Sequence, residues 1–158
     1  MDRRTFGIAV ATVGLASATA PATAETGGDG KMITPAQFAD YIAAFNRHDA
    51  AGYSKYYDEH VLFEGRGRHF ESAKEVTAFY DMVKERLKET VVVKRAFFGA
   101  DGLAAELETT LVCIKDWPDF FGGPMKVGDV KRTLNFAFYE VKNGKFVHIR
   151  SANFAQLT

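Results

Sequence analysis

Proton transfer needs a base and an acid near one substrate atom, with water excluded. Glu64 and His69 are the side chains in this sequence that could supply them. Glu64 closes the short run His60-Val61-Leu62-Phe63-Glu64, and His69 ends the turn-rich Gly65-Arg66-Gly67-Arg68-His69. Strand alternation sends Phe63 inward and Glu64 outward, so Glu64 reaches a pocket only where a bulge re-aims it. His69 titrates near neutral pH and is either a catalytic group in a functional loop or a solvated one. Arg132 falls on the inward phase of a long strand, where a guanidinium either meets an anion or ends in a salt bridge at the sheet end. Asn153 either orients a substrate hydroxyl or caps the last strand. Trp117, Phe120 and Phe121 form either a hydrophobic lid or a contact with a neighbouring subunit.

Other chemistries are excluded by what the chain lacks. Basic and acidic side chains number 20 each, so no field for nucleic acid exists. One cysteine, Cys113, rules out an internal disulfide and multi-cysteine metal sites. The four histidines are scattered and form no zinc motif, so no metal site is expected. No phosphate-binding glycine loop and no G-x-S-x-G elbow is present.

The elements that must position these groups read as helices first and strands after. Thr34-Pro35-Ala36-Gln37 is a helix start with a capping box, and Phe38, Tyr41, Ile42 and Phe45 follow on one face. Asp49 caps a second short helix carrying Tyr53, Tyr56 and Tyr57. Ser72-Ala73-Lys74-Glu75 opens a third, with Val76, Phe79, Tyr80, Val83 and Leu87 on one face. From Thr90 onward the period is two: strands are expected over 91–98, 103–114, 126–141 and 145–154, with an aromatic loop over 116–124. In 103–114 alternation turns Leu103, Ala105, Leu107, Thr109, Leu111 and Cys113 inward. Asn143-Gly144 is a type I′ hairpin pair. A regular two-residue turn there pairs Phe138 with Ile149, Phe136 with Ser151 and Leu134 with Asn153, and this more apolar set is assigned to the helix side. Tyr139, His148 and Arg150 then face out, on a surface that is solvated or in contact with another subunit. The class is α+β, with helices on one face of a curved antiparallel sheet.

Residues 1–24 read as an export signal. Arg3-Arg4-Thr5-Phe6 resembles a twin-arginine signal, an apolar stretch follows, and Ala22-Thr23-Ala24 offers a cleavage site. The apolar stretch is too short for a stable membrane span, so a periplasmic protein is expected, with 25–33 as a tether and 34–158 as the domain.

The segments YIAAFNRHD, YYDEHVLFEG, ESAKEVTAFY and FYEVKNGKFVHIRSANF resemble the SnoaL-like branch of the nuclear-transport-factor-two-like superfamily. Ketosteroid isomerase, polyketide cyclases and scytalone dehydratase belong to that superfamily. The resemblance implies a cone-shaped curved sheet wrapped around three helices, an apolar pocket at its open end, chemistry without a cofactor, and a homodimer or homotrimer. It places Tyr41 at the oxyanion-hole tyrosine of ketosteroid isomerase, with Tyr57 and Tyr80 at two further tyrosines of a network. Phe45 and Tyr57 join the pocket wall formed around Tyr41, and Phe63 points into it. The same resemblance places Gly65 at the isomerase's catalytic aspartate and Phe136 at its protonated aspartic acid. Both acids are missing, which argues against a steroid isomerase. The Asp–His pair of scytalone dehydratase is not recovered either: Asp49 is near the aspartate, but 91–95 contains no histidine. The expected function is a cofactor-independent lyase or isomerase acting on a small hydrophobic, aromatic or polyketide-like molecule. The alternative is a binding or accessory domain that uses the same pocket.

Overall fold

The computed structural model describes residues 32–65 and 67–157. The expected export signal, most of the tether and Arg66 lie outside the described residues. Ile33, at the end of the expected tether, is buried in the core.

Three helices are set by local chemistry. Helix α1 (Pro35–Asn46) begins with the capping box: Gln37 N donates to Thr34 Oγ1 and Thr34 N to Gln37 Oε1. Its buried side chains include Phe38, Tyr41, Ile42 and Phe45. Asn46 then acts as a strand surrogate. Its amide donates to the Val91 carbonyl and its oxygen accepts from the Val91 N–H, each at 2.8 Å. Asp49 caps α2 (Ala50–Ser54) and Ser72 caps α3 (Ala73–Lys84). Glu75 turns back to accept from the Glu71 N–H at 2.8 Å. The last turn of α3 ends at Lys84, so Leu87, expected on the helix face, instead opens a strand.

Six strands form one curved, unclosed sheet in the order β2-β1-β6-β5-β4-β3. They are β1 (Tyr57–Gly65), β2 (Arg68–Phe70), β3 (Leu87–Gly99), β4 (Gly102–Cys113), β5 (Val130–Lys142) and β6 (Lys145–Gln156). Strand β5 starts four residues later than expected, at Val130 rather than Lys126. Lys126 N donates to Asp129 Oδ2 and Gly128 takes φ 91°, which makes a turn of 126–129.

The expectation of an antiparallel sheet is corrected at one seam. Strand β1 runs parallel to β6, so the sheet is mixed. Consecutive strands joined by short turns pair antiparallel, but β1 and β6 are distant in the chain, and alternation within each strand carries no information about their relative direction.

The expected hairpin register is also corrected. Asn143 and Gly144 adopt φ 53° and 73°, as a type I′ turn requires. Yet Val141 pairs with Phe146 and Glu140 with His148, so Val147 is an extra residue in β6. Beyond this bulge Tyr139 faces Ile149, Ala137 faces Ser151 and Phe138 faces Arg150. One extra residue exchanges the faces of β5. Tyr139, Ala137, Asn135 and Thr133 are buried, while Phe138 and Phe136 are exposed on the outer face. Strand β4 alternates as expected, with Leu103 through Cys113 buried at every second position.

Candidate functional site

Between the helices and the inner face of the sheet lies a cavity of about 120 Å³. Its walls are mostly aromatic and aliphatic, with Tyr41 and Phe45 from α1, Phe63 from β1, Tyr80 from α3, and Phe120 and Phe121 from the 116–124 loop. Tyr41 sits in a ring cluster, 5.1 Å from Phe146, 5.9 Å from Tyr57 and 6.2 Å from Tyr139 between centroids. The Tyr41 and Tyr57 hydroxyls are 3.1 Å apart, and either can donate. Burial holds the Tyr41 phenol well above its ordinary range, and the neighbouring Tyr57 adds to this. Both phenols are therefore held in the neutral form, and within the pair one donates and the other accepts.

Polar groups enter this apolar shell at a few points. Leu87, Glu89 and Val91 alternate onto one face of β3, and all three line the cavity. Tyr80 is raised well above the usual phenol range, first by burial and next by the negative charge of Glu89. On the sheet wall, the buried Asn135 donates through Nδ2 to Thr109 Oγ1 and Thr133 Oγ1, each at 3.1 Å. Thr109 and Asn135 both line the cavity. Having accepted from Asn135, the Thr109 hydroxyl still has its own proton to give. At the rim, the Arg68 guanidinium lies over the rings of Phe121 at 4.5 Å and Phe79 at 5.7 Å.

The sequence-derived site residues divide into two groups. Tyr41, Phe45, Phe63 and Tyr80 meet at the cavity. Tyr57 stands one layer behind it as the hydrogen-bond partner of Tyr41. Trp117 is also a layer back, its ring tilted against Phe120 at 4.9 Å between centroids and its backbone tied to Met125. Arg132 and Phe136, assigned to the inner face, lie outside as a consequence of the Val147 bulge. Arg132 donates to Glu108 Oε1 at 2.5 Å, and Phe136 packs against Phe154 with ring centroids 4.9 Å apart and planes tilted by 48°. Asn153 is exposed and donates to Asn135 Oδ1 at 3.2 Å, a support for the wall rather than part of it.

Glu64 and His69 are likewise outside the cavity lining. Glu64 Oε2 pairs with His148 Nε2 at 2.7 Å and Oε1 with His69 Nδ1 at 3.4 Å. His69 Nε2 meets Glu71 at 3.1 Å. No bulge turns Glu64 inward: Phe63, Glu64 and Gly65 pair in step with Ile149, Arg150 and Ser151. Gly65 itself borders the cavity, and a Cβ there would stand 3.0 Å from the Ser151 carbonyl oxygen. That crowding disfavours an acid at this position.

Sequence reasoning missed Glu89, Asn135 and Arg68. The signal for Glu89 was the Leu87-x-Glu89-x-Val91 alternation, hidden once Leu87 was assigned to the helix. Asn135 was hidden by the bulge, and Arg68 was passed over because His69, in the same turn-rich segment, was the group that titrates near neutral pH.

The match to known families covers most of this architecture. The model of the SnoaL-like domain matches residues 38–149. The chain belongs to this SnoaL-like family. No curated protein matches the sequence. Among solved structures, a candidate polyketide cyclase from Pseudomonas putida KT2440 is 21% identical, with a TM-score of 0.63, over 76% of this chain and 89% of that one. A ketosteroid isomerase-like protein from Erwinia carotovora atroseptica SCRI1043 is 16% identical, with a TM-score of 0.57, over 78% and 95%. An LEH-like epoxide hydrolase from M. tuberculosis is 11% identical, with a TM-score of 0.60, over 74% and 79%. At these identities the likeness is one of fold, the nuclear-transport-factor-two-like cone. Family and fold together support a catalytic or ligand-binding role for the SnoaL-like chain. Among the described residues no helix is long and apolar enough to cross a membrane.

Proposed function

We propose that this SnoaL-like protein is a lyase or isomerase that moves a proton on a small apolar molecule of aromatic or polyketide type. The observation that carries this reading is that one carboxyl side chain, Glu89, lines the same mostly apolar cavity as the hydroxyl-bearing Tyr80, Tyr41 and Thr109. A carboxylate in such a place is a suitable base, and hydroxyl donors around the same volume stabilise the oxyanion that forms when a proton leaves carbon next to a carbonyl. In this reading Glu89 takes the base role once expected of Glu64 or His69. Tyr41, backed by Tyr57, and Tyr80 serve as donors.

The test is product formation across a panel of aromatic and polyketide-like carbonyl compounds, comparing wild type with Glu89→Gln. Turnover should fall about 10²- to 10⁴-fold while binding persists. Undiminished turnover in E89Q would remove Glu89 from the mechanism.

A binding domain without catalysis is the second reading. It is favoured by Gly65, which puts no side chain where the isomerase carries its acid, and where an added Cβ would stand 3.0 Å from the Ser151 carbonyl oxygen. Binding without product across the panel, in wild type as in E89Q, is its signature.

Two further parts of the proposal concern context. Two copies meet through the outer sheet face, which exposes Phe97, Phe136, Phe138 and Phe154. The twin-arginine-like start supports export to the periplasm.

A further inference from the structure

The cavity wall is uneven in exposure and in charge. Among the described residues that line it, Arg68 is the one that stands exposed, and Arg68 and Glu89 are the two that carry charge. Glu89 is half-buried on β3, beside Tyr80. Arg68 sits on β2, its guanidinium 4.5 Å from the Phe121 ring centroid and 5.7 Å from that of Phe79. A guanidinium that rests over an aromatic ring still has N–H groups to give to a planar anion. No carboxylate among the described residues forms an ion pair with Arg68. The anion partner expected for Arg132 is Glu108 on the outer face, so that role falls vacant there and is open at Arg68.

We propose that the molecule taken by this site is an amphiphilic acid. A single aromatic ring or comparable apolar body fills the cavity, and a carboxylate (or an equally planar anion) remains at the rim on Arg68. A cavity of about 120 Å³ matches the body, since an apolar cavity of about 150 Å³ takes up benzene. With its anion held on the exposed Arg68, the ligand enters apolar end first. This names the substrate class for the proton-transfer reading above and rests on that reading for the identity of the cavity as the site.

The test uses two probes of one shape, 3-phenylpropionate and its methyl ester. Dissociation constants are measured by calorimetry and ligand-observed NMR on the full chain and on Arg68→Gln, Arg68→Lys and Arg95→Gln variants. Wild type and R95Q should bind the acid roughly three- to tenfold more tightly than the ester. R68Q should bind both equally with its ester affinity unchanged, and R68K should fall between. Equal binding of acid and ester by wild type, or a preference that survives in R68Q, overturns the proposal and leaves the proton-transfer reading standing. An Arg68-dependent preference for the acid, combined with no turnover of any panel compound, supports the proposal and overturns catalysis. Binding of neither probe overturns the assignment of the cavity as the site, and the proposal with it.

Discussion

The carboxamide of Asn135 donates to the Thr109 hydroxyl over 3.1 Å, joining β5 to β4 within the cavity wall. The same amide reaches Thr133, and its oxygen accepts from Asn153. Replacing Asn135 with Leu leaves two buried hydroxyls without this donor and removes an acceptor from Asn153. Leaving buried polar groups unserved costs about 1–3 kcal/mol. The expected result is a lower denaturation midpoint in urea with an unchanged slope, as for a loss of stability without a change in the unfolded state.

Tyr41 and Tyr57 should behave as a coupled pair. Each Tyr→Phe change breaks the same 3.1 Å contact, so the double variant should lose less than the sum of the two. The expected coupling is about 0.5–1.5 kcal/mol by denaturant titration. Tyr57→Phe should also lower turnover although Tyr57 does not line the cavity. Strict additivity would remove the hydrogen bond from any role.

Acidity should act on the Glu71–His69–Glu64–His148 chain. The His69 imidazolium is favoured above its usual 6.5, first by the hydrogen bond to Glu71 and then by Glu64. Glu64 is held below its usual 4.5, first by its hydrogen bond to His148. The His69 contribution is therefore complete below its unfolded value and fades as pH rises through the raised one. The Glu64 contribution is complete above its unfolded value and fades as pH falls through the lowered one. Both are present between 4.5 and 6.5. Thermal melts of His69→Gln against wild type should differ most in that window and converge in alkali and in high salt, since these groups are exposed. A difference that is flat with pH would show that the pairing adds nothing.

Charge on the outer face should separate the proposed dimer. Phe138 is 56% exposed there and Phe97 69%, with Ala104 paired to both between them. Phe138→Glu should sediment as a monomer with an unaltered circular dichroism spectrum, against a dimeric wild type. A monomeric wild type would rule out the interface.

How far the sequence could be read depended on whether the signal was local. Helix starts were legible because caps lie within four residues of what they cap, as Thr34 with Gln37 and Ser72 with Glu75 show. The alternation of β4 was legible for the same reason, and so was the I′ turn at Asn143-Gly144. The bulge at Val147 was not, because no residue type there announces it. Its effect fell on the site: Phe136 and Arg132 were placed inside, and Asn135 and Tyr139 were overlooked. The parallel seam was hidden because it joins segments some ninety residues apart in the chain. The pocket tyrosines were found through family resemblance, whereas Glu89 needed the true start of β3.

The parallel pairing of β1 with β6 has a consequence for synthesis. Strand β1 lies between β2 and β6, and the cavity wall includes Ile149 and Ser151 from β6. A nascent chain that has displayed all three helices and five strands still has β1 open along one edge and the cavity without that wall. The sheet becomes continuous only when Lys145–Gln156 leaves the ribosome and inserts between β1 and β5. Assembly is thus bound to translation of the last strand, and a chain cut short before it exposes an unpaired strand to the cell's proteases and chaperones.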